Sequence, residues 1–317
     1  MARFSWAETF ISLEGEFLYQ GYPTVYVRFA RCNFTCQKFN NPNNIPITNE
    51  VLGFNPMDYS NVKQIPLIKM GCDSLYAHDS RFEHMWESGD EHDLATKLTK
   101  LLPHMSELLN YTIKDFDWIQ CISSYDKWIH PKTGQPYILS LTGGEPTLYQ
   151  KNIPILLSHP FFNDLRLLLI ETNASVPLRE EFLRYINDWL TRDPSRKIIW
   201  SNSPKLSASG EDWNKAIRPD IVKQQRNVIG SLNQDCCVQY FKFVVGPRTE
   251  DFDEVEQAMK EYGDTIGYNN IVGVMPESCT AEQQNEIGVQ VADMCIKRGY
   301  IYVSRLQNYL WGNEVGT

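Results

Sequence analysis

The stretch that decides the fold runs from Thr24 to Cys36 and reads TVYVRFARCNFTC. Its first part, Thr24–Ala30, is mostly β-branched or aromatic, which predicts a strand that is buried on both faces. Cys32 and Cys36 follow this strand directly. Two thiols in a loop after a buried strand can reach one metal centre, although this spacing alone does not separate a metal site from a pair of structural thiols.

Six further runs resemble this strand, and helical patterns lie between them. The strand-like runs are Tyr137–Leu141, Leu165–Glu171, Lys197–Trp200, Val238–Val245, Ile271–Met275 and Tyr300–Val303. Apolar residues recur at helical spacing in Leu94–Leu109, Leu178–Leu190, Asp251–Tyr262 and Ala281–Lys297. Strands that alternate with helices predict an α/β fold, either a βα barrel or an open sheet.

Two stretches interrupt this alternation. Residues 37–71 are rich in Asn and Pro, and residues 75–136 hold one helical pattern within polar and aromatic sequence. We predict that both are insertions in a single domain that spans residues 1–317.

The composition excludes several classes of protein. The chain has 317 residues, of which 42% are hydrophobic and 22% charged, so it can bury a large core and is not disordered as a whole. A net charge of -9 argues against a broad surface for nucleic acid. No signal core begins the chain and no run of about 20 apolar residues occurs in it, which predicts a cytoplasmic protein without a membrane segment. Eight cysteines in such a protein predict reduced thiols or metal ligands.

A second motif, Leu139–Thr147, reads LSLTGGEPT. An apolar strand here runs into Gly143 and Gly144, which Glu145 follows. Glycines permit a close approach of the backbone to a ligand, and α/β folds bind ligands at the carboxyl ends of their strands. The motif therefore predicts a binding site beside the cysteines.

Together, these motifs resemble the radical S-adenosylmethionine superfamily and, within it, the 7-carboxy-7-deazaguanine synthases. Further matches to the pattern of the synthases follow in order along the chain: Glu8–Glu16, Gly21-x-Pro23, Val27–Asn33, Glu171–Asn173, Ser203–Lys205, Lys242–Val244, Met275–Glu277 and Arg305–Gly312. The resemblance implies a partial, modified βα barrel of the radical S-adenosylmethionine type, with the two insertions outside the matched segments.

The third cysteine departs from the usual spacing of the superfamily. Residues 37–39 are Gln-Lys-Phe, and the next cysteine is Cys72, which Asp73 and Ser74 follow as in the Cys-Asp-Thr/Ser pattern of the synthases. The resemblance therefore implies that Cys32, Cys36 and Cys72 hold a four-iron, four-sulfur cluster. Long loops between ligands cost little entropy, about 0.6 kcal/mol per doubling of length. The alternative is that Cys121, or no third thiol, completes the site.

The resemblance also implies roles for other residues. The S-adenosylmethionine site would comprise Asp73, Gly143, Gly144, Glu145, Ser203 and Lys205, and the Ser74 hydroxyl would bind Mg²⁺. The substrate would contact Leu13, Glu14, Gly15, Arg28, Thr142 and Thr317. Arg28 suits this role because a guanidinium pairs well with a carboxylate. The other cysteines, Cys121, Cys236, Cys237, Cys279 and Cys295, are expected to be ordinary thiols.

The implied activity is that of a lyase that converts 6-carboxy-5,6,7,8-tetrahydropterin to 7-carboxy-7-deazaguanine, a base of the queuosine type. It implies a small-molecule pterin substrate, a reductant such as flavodoxin, a homodimer, and no direct contact with nucleic acid. One alternative is a glycyl-radical enzyme activase, which shares the C-x3-C spacing and the Gly-Gly motif. Another is a non-catalytic regulator on the same fold, suggested by the long insertions.

Four residues depart from the pattern of the synthases. Glu14 replaces Gln, Phe17 replaces Gly, Gln307 replaces His, and Gly71 stands where an aromatic residue often packs on the adenine. Each departure affects a contact with substrate or cofactor, and none removes a cluster ligand.

Overall fold

A single mixed sheet forms the centre of the computed structural model, which describes residues 3–105, 126–226, 234–312 and 314–316. Within these residues nine strands pair in the order β3-β1-β2-β4-β5-β6-β7-β8-β9. They are β1 (Phe4–Leu13), β2 (Pro23–Phe29), β3 (Glu87–Gly89), β4 (Ile138–Gly143), β5 (Leu167–Thr172), β6 (Lys197–Asn202), β7 (Cys237–Val245), β8 (Ile271–Pro276) and β9 (Ile301–Tyr302).

The strands from β2 to β9 in this order are parallel, while β1 is antiparallel to both β2 and β3. The helices are α1 (Asn49–Leu52), α2 (Glu91–Thr99), α3 (Ile153–Leu157), α4 (Glu180–Thr191), α5 (Trp213–Ala216), α6 (Pro219–Arg226), α7 (Thr249–Ile266), α8 (Ala281–Arg298) and α9 (Leu306–Trp311). From β4 onward, strands and helices alternate along the chain, so the predicted α/β fold is confirmed. Of these described helices, none is long and apolar enough to cross a membrane.

The two faces of the sheet differ in chemistry. On the outer face, Leu168 and Ile170 of β5 and Trp200 of β6 pack against helices of the main core, which include Trp189 of α4. Apolar residues of β7 pack in the same way on α7 and α8. Burial of this apolar surface, at about 25 cal/mol per Å², is the main force that holds the helices on the sheet.

The inner face is apolar only at its base. There Leu167, Leu169 and Ile199 form a small buried cluster with Tyr240, and Phe17 packs against it. The ring of Phe17 meets Tyr240 edge-on at 5.0 Å between centroids. Because Phe17 follows β1, at one side of the sheet, while Tyr240 lies in β7 near the other, the sheet must curve around this turn. The sheet nevertheless stays open, since β9 does not pair with β3 in the described residues.

The first insertion and part of the second share a separate small core. Val62, Ile65 and Ile68 pack there with Phe82, against Ala7 of β1. The chain closes at the base of the first insertion, where the Gly71 N–H donates to the Phe39 carbonyl at 2.7 Å. Asn41, which is buried, fixes the same turn through its amide: Nδ2 donates to the carbonyls of Gln37 and Ile45. The excursion therefore begins and ends at neighbouring points.

Candidate active site

A cavity of about 240 Å³ lies inside the curve of the sheet, at the carboxyl ends of the parallel strands. This is the position at which α/β folds bind ligands. Most of the predicted site residues line it: Leu13, Glu14, Gly15, Arg28, Cys32, Cys36, Cys72, Asp73, Ser74, Thr142, Gly143, Gly144, Ser203 and Lys205. Glu145 is buried just outside the lining, and Thr317 and Cys121 lie outside the described residues.

The loop after β2 holds Cys32 and Cys36 in place. The Phe34 N–H donates to the Cys32 Sγ at 3.4 Å, and Glu211 Oε1 accepts from the Cys36 N–H at 2.8 Å. Cys36 has a φ of 47°, in the left-handed region. Burial raises the pKa of Cys32 to about 12 and that of Cys36 to about 11, while the Lys205 ammonium acts in the opposite direction on both thiols.

Cys72 reaches the same place from the far end of the insertion. Cys32, Cys72 and Phe39 all pack against a small buried cluster that contains Cys36. Burial, followed by the charges of Asp73, Cys36 and Cys32, raises the pKa of Cys72 well above its usual value, so these thiols are close enough to act on one another. The structure thus brings together the three cysteines selected from sequence.

Within the described parts of the chain, no group of three or more His, Cys, Asp or Glu could hold a single metal ion. A four-iron cluster differs from a single ion, because each thiolate binds a different iron and the ligands lie farther apart. The donor set of three thiols on one cavity fits the cluster, which would hold the thiols deprotonated in spite of their burial. That they bind a cluster remains a prediction.

The Gly-Gly turn is built onto the cysteine loop. The Gly144 N–H donates to the Phe29 carbonyl at 3.1 Å, and the Glu145 N–H donates to the Arg31 carbonyl at 3.0 Å. A Cβ on Gly144 would lie 2.0 Å from the Arg31 oxygen, and Gly143 has a φ of 124°. Both positions therefore require glycine.

Glu145, which was predicted to lie in the S-adenosylmethionine site, makes its bonds within the protein. Its side chain is fully buried, and its carboxylate accepts four hydrogen bonds, from the Thr147 N–H and hydroxyl, the Thr172 hydroxyl and the Asn173 N–H. In this arrangement the carboxylate joins the turn after β4 to the turn after β5. It does not itself line the cavity.

Other predicted cofactor residues do face the cavity. The Lys205 Nζ donates to the Ser203 Oγ at 3.2 Å and lies 6.0 Å from the centroid of the Phe39 ring. Phe39 thus places an aromatic ring on the cavity wall, beside Gly71, although Gly71 itself offers none. Asp73 is bound by Arg305 Nη2, and this guanidinium lowers the pKa of Asp73 far below its usual range despite burial.

Arg28 and Ser74 are already bonded to other groups of the protein. Arg28 Nε donates to Glu8 Oε1 at 2.8 Å, and its Nη1 donates to the Ser74 Oγ at 2.9 Å. The Tyr76 hydroxyl donates to the same Glu8 oxygen at 2.7 Å. A guanidinium thus faces the oxygen that was predicted to bind Mg²⁺, and this arrangement does not fit a magnesium ion.

Sequence reasoning missed a buried charge network on the inner face. The Lys242 Nζ bonds Glu16 Oε2 and lies 3.9 Å from Glu171 Oε2, while Arg305 Nε donates to Glu16 Oε1 at 3.1 Å. Gln307 Nε2 also donates to Glu16 Oε1, at 3.2 Å. The sequence did contain a signal for this network, because its members all lie in segments that match the pattern of the synthases: Glu16, Glu171, Lys242 and Arg305.

Of the other cysteines, Cys237 and Cys295 lie in the outer cores, and Cys236 packs against one of them. Cys279 differs, because it is buried on the cavity wall, where Asn40 Nδ2 donates to its Sγ at 3.4 Å. At the end of the described residues, Glu314, Val315 and Gly316 line the cavity.

A curated 7-carboxy-7-deazaguanine synthase from Rhodopirellula baltica is 29% identical over 197 residues, which cover 59% of this chain. The predicted resemblance is confirmed. The chain covers 65% of the length of that relative. No family model matches the chain.

Two solved structures are also similar. The crystal structure of QueE from Escherichia coli has a TM-score of 0.49 and 14% identity, and the match covers 96% of this chain and 94% of that one. The native structure of anSMEcpe with bound AdoMet has a TM-score of 0.33 and 13% identity, and covers 65% of this chain and 61% of that one.

Proposed function

We propose that this protein is a radical S-adenosylmethionine enzyme that converts 6-carboxy-5,6,7,8-tetrahydropterin to 7-carboxy-7-deazaguanine with loss of ammonia. One observation carries the proposal: Cys32, Cys36 and Cys72, separated by an insertion in sequence, line one cavity with Gly143 and Gly144. The curated relative bears the name of this activity.

The cysteines would hold the cluster through three thiolates, which leaves one iron open for a further ligand. When bound, the cluster and S-adenosylmethionine together would supply a 5′-deoxyadenosyl radical that removes a substrate hydrogen. The backbone of Gly143 and Gly144, which carry no side chains of their own and line the cavity, would lie against the cofactor. Lys205 and Ser203 would contribute a cation and a hydroxyl on the same wall.

The inner face of the sheet would hold the pterin. Arg28 would pair with the substrate carboxylate, in exchange for one of its present bonds to Glu8 and Ser74. Glu14 and Thr142 offer polar atoms to the ring. The buried pairs of Glu16 with Lys242 and Arg305 fix the shape of this wall, because both cations are nearly inaccessible to solvent. An enclosed site of this kind excludes water from a reactive radical.

We infer a cytoplasmic enzyme that takes electrons from a reductant such as flavodoxin and acts as a homodimer on a free pterin, without contact with nucleic acid. Mg²⁺ would require Arg28 to leave the Ser74 oxygen, so the proposed reaction includes no step through this ion.

The test is anaerobic turnover of purified, iron-reconstituted protein with the carboxytetrahydropterin, S-adenosylmethionine and a reductant. We expect a product lighter than the substrate by one ammonia, with S-adenosylmethionine regenerated. The Cys72→Ala variant is the matched negative control. Cleavage of S-adenosylmethionine without this product would contradict the proposal and favour an activase, and the absence of both reactions in protein that carries iron would favour a non-catalytic regulator.

A further inference from the structure

Two carboxyl groups, Glu14 and Glu16, lie two residues apart on the cavity wall in opposite surroundings. Glu16 pairs with Lys242 and Arg305, and these cations lower its pKa to about 2 although burial opposes them. Glu14 is also buried, with 4% of its surface exposed. Among the described residues, no Lys, Arg or His forms an ion pair with Glu14, and Lys242 is already bound by Glu16.

The hydrogen bonds around Glu14 indicate where its proton lies. The Tyr26 hydroxyl is 3.1 Å from Glu14 Oε2 and 3.2 Å from the Leu13 carbonyl oxygen. This hydroxyl has one hydrogen, and a carbonyl can only accept. The Glu14 N–H donates to the Tyr22 carbonyl at 2.7 Å, so the adjacent pair, Leu13 and Pro23, exchanges no ladder hydrogen bonds, and the Leu13 carbonyl points away from β2.

An ionised Glu14 would therefore compete with the Leu13 carbonyl for the single Tyr26 hydrogen, and one of the two acceptors would lose this donor. A protonated Glu14 removes this conflict. Its Oε2–H donates to the Tyr26 oxygen, and Tyr26 donates to Leu13. The other carboxyl oxygen, Oε1, still accepts from the Glu16 N–H at 3.3 Å.

The charged and titratable groups that face Glu14 act mostly in the same direction. Burial is the largest effect, and the carboxylates of Glu171 and Glu16 add to it. Lys242 opposes it, as does the Tyr26 hydroxyl, which would donate to an ionised Glu14; the net effect raises the pKa of Glu14 to about 8. Tyr26 and Tyr240 also face this carboxyl, and burial raises the pKa of both phenols, so neither adds a negative charge near neutrality.

We propose that Glu14 keeps its proton at neutral pH, donates it to Tyr26, and so presents an uncharged acid to the ligand that binds in this cavity. This wall then accepts an uncharged or anionic ligand. An ionised Glu14 would add a third negative charge beside Glu16 and Glu171 and would repel an anion. For the carboxylated pterin, an extension that rests on the proposed function, affinity should fall as the pH rises through the ionisation of Glu14.

The first test uses the full-length protein without any ligand. The infrared difference spectrum between the wild type and Glu14→Gln should contain the C=O band of a protonated carboxyl group at pH 7, and the band should disappear as the pH rises through about 8. The control is Glu181→Gln, which changes an exposed carboxylate of α4 and should leave the band in place. A wild-type spectrum with no such band at pH 7, or a band that Glu14→Gln does not remove, would overturn the proposal.

The second test measures anaerobic binding of the carboxytetrahydropterin from pH 7 to pH 9. Wild-type affinity should fall by roughly tenfold one unit above the pKa of Glu14, since only the protonated form binds well. The Glu14→Gln variant should lose this pH dependence because its amide cannot ionise, whereas Glu181→Gln should keep it. A wild-type profile that matches that of Glu14→Gln would contradict the extension to the ligand. If no variant binds the pterin, the proposed function fails, and the infrared band still decides the state of Glu14.

Discussion

Replacement of Lys242 by methionine tests whether the buried charge network holds the wall of the cavity. The Lys242 side chain is 6% exposed and that of Glu16 is 11% exposed, so neither charge is screened by much water. Removal of one partner from a buried pair typically costs about 3–5 kcal/mol, because the other charge stays buried without compensation. Arg305 still reaches Glu16 Oε1 in the variant, so we expect the lower end of this range, about 3 kcal/mol.

Urea unfolding followed by circular dichroism measures this loss. With an m-value near 3 kcal/mol/M, the midpoint should shift down by about 1 M. In the double variant Glu16→Gln/Lys242→Met, the loss should be smaller than the sum of the single losses by about 0.5–3 kcal/mol, as expected for groups in contact.

The pH dependence of the free energy of unfolding gives an independent check that the ion pairs of Glu16 stabilise the protein. Because the pKa of Glu16 is lowered from 4.5 to about 2, the stability that its ion pairs contribute is complete above pH 4.5 and is lost as the pH falls toward 2. The difference between wild type and Lys242→Met should shrink over the same interval. If Lys242→Met lowers the free energy of unfolding by less than about 1 kcal/mol at pH 7, as is typical of exposed pairs, the conclusion that this network is shielded from water would be refuted.

Three further predictions concern the cluster and the substrate. After anaerobic reconstitution, the Cys72→Ala variant should lack the iron and the visible absorbance of the wild type. The control variant Cys237→Ala should keep both, because Cys237 lies in the outer core. The reverse result would exclude Cys72 as the third ligand. Gly144→Ala should lower the iron content, because its Cβ would lie 2.0 Å from the Arg31 oxygen and displace the cysteine loop, and a full iron content would show that the loop yields. Arg28→Ala should raise the KM for the pterin strongly at normal iron content, and an unchanged KM would remove this residue from the substrate site.

The elements of the parallel sheet could be predicted because their signal is local. The run Thr24–Ala30 corresponds to the observed Pro23–Phe29, and Leu178–Leu190 to the helix Glu180–Thr191. The strand Phe4–Leu13 was not predicted, since several of its residues are polar. Its Glu8 bonds Arg28 and Tyr76, so its pattern lacks the continuous apolar character of the central strands.

Residue roles were harder to predict than elements, because a motif does not show which bonds its side chains already make. Glu145 follows two glycines that face the cavity, and its position suggested a ligand. In the structure its carboxylate already accepts four hydrogen bonds from the protein, three of them at Oε1, and its role in the cofactor site stays a prediction. Arg305 shows the converse. It lies far from the cysteines in sequence, yet it bonds Asp73, the neighbour of Cys72, because the curved sheet brings its last strand back to the first turn.

Phe17 shows that a residue that departs from a motif can still stabilise the fold. The pattern of the synthases has glycine here, and the Phe17 backbone indeed lies in the left-handed region, with a φ of 59°. This conformation costs a non-glycine residue about 1–2 kcal/mol. The ring, however, packs on Tyr240 and comes within 2.9 Å of the Cβ position of Gly273, which has no side chain there. Full burial of an aromatic side chain contributes about 1.5–3 kcal/mol, so even its partial burial offsets most of the strain. Phe17 thus accepts a strained backbone and gains a ring that packs at the base of the curved sheet. The sequence alone could not show this, because Tyr240 and Gly273 lie in β7 and β8, far from Phe17 along the chain.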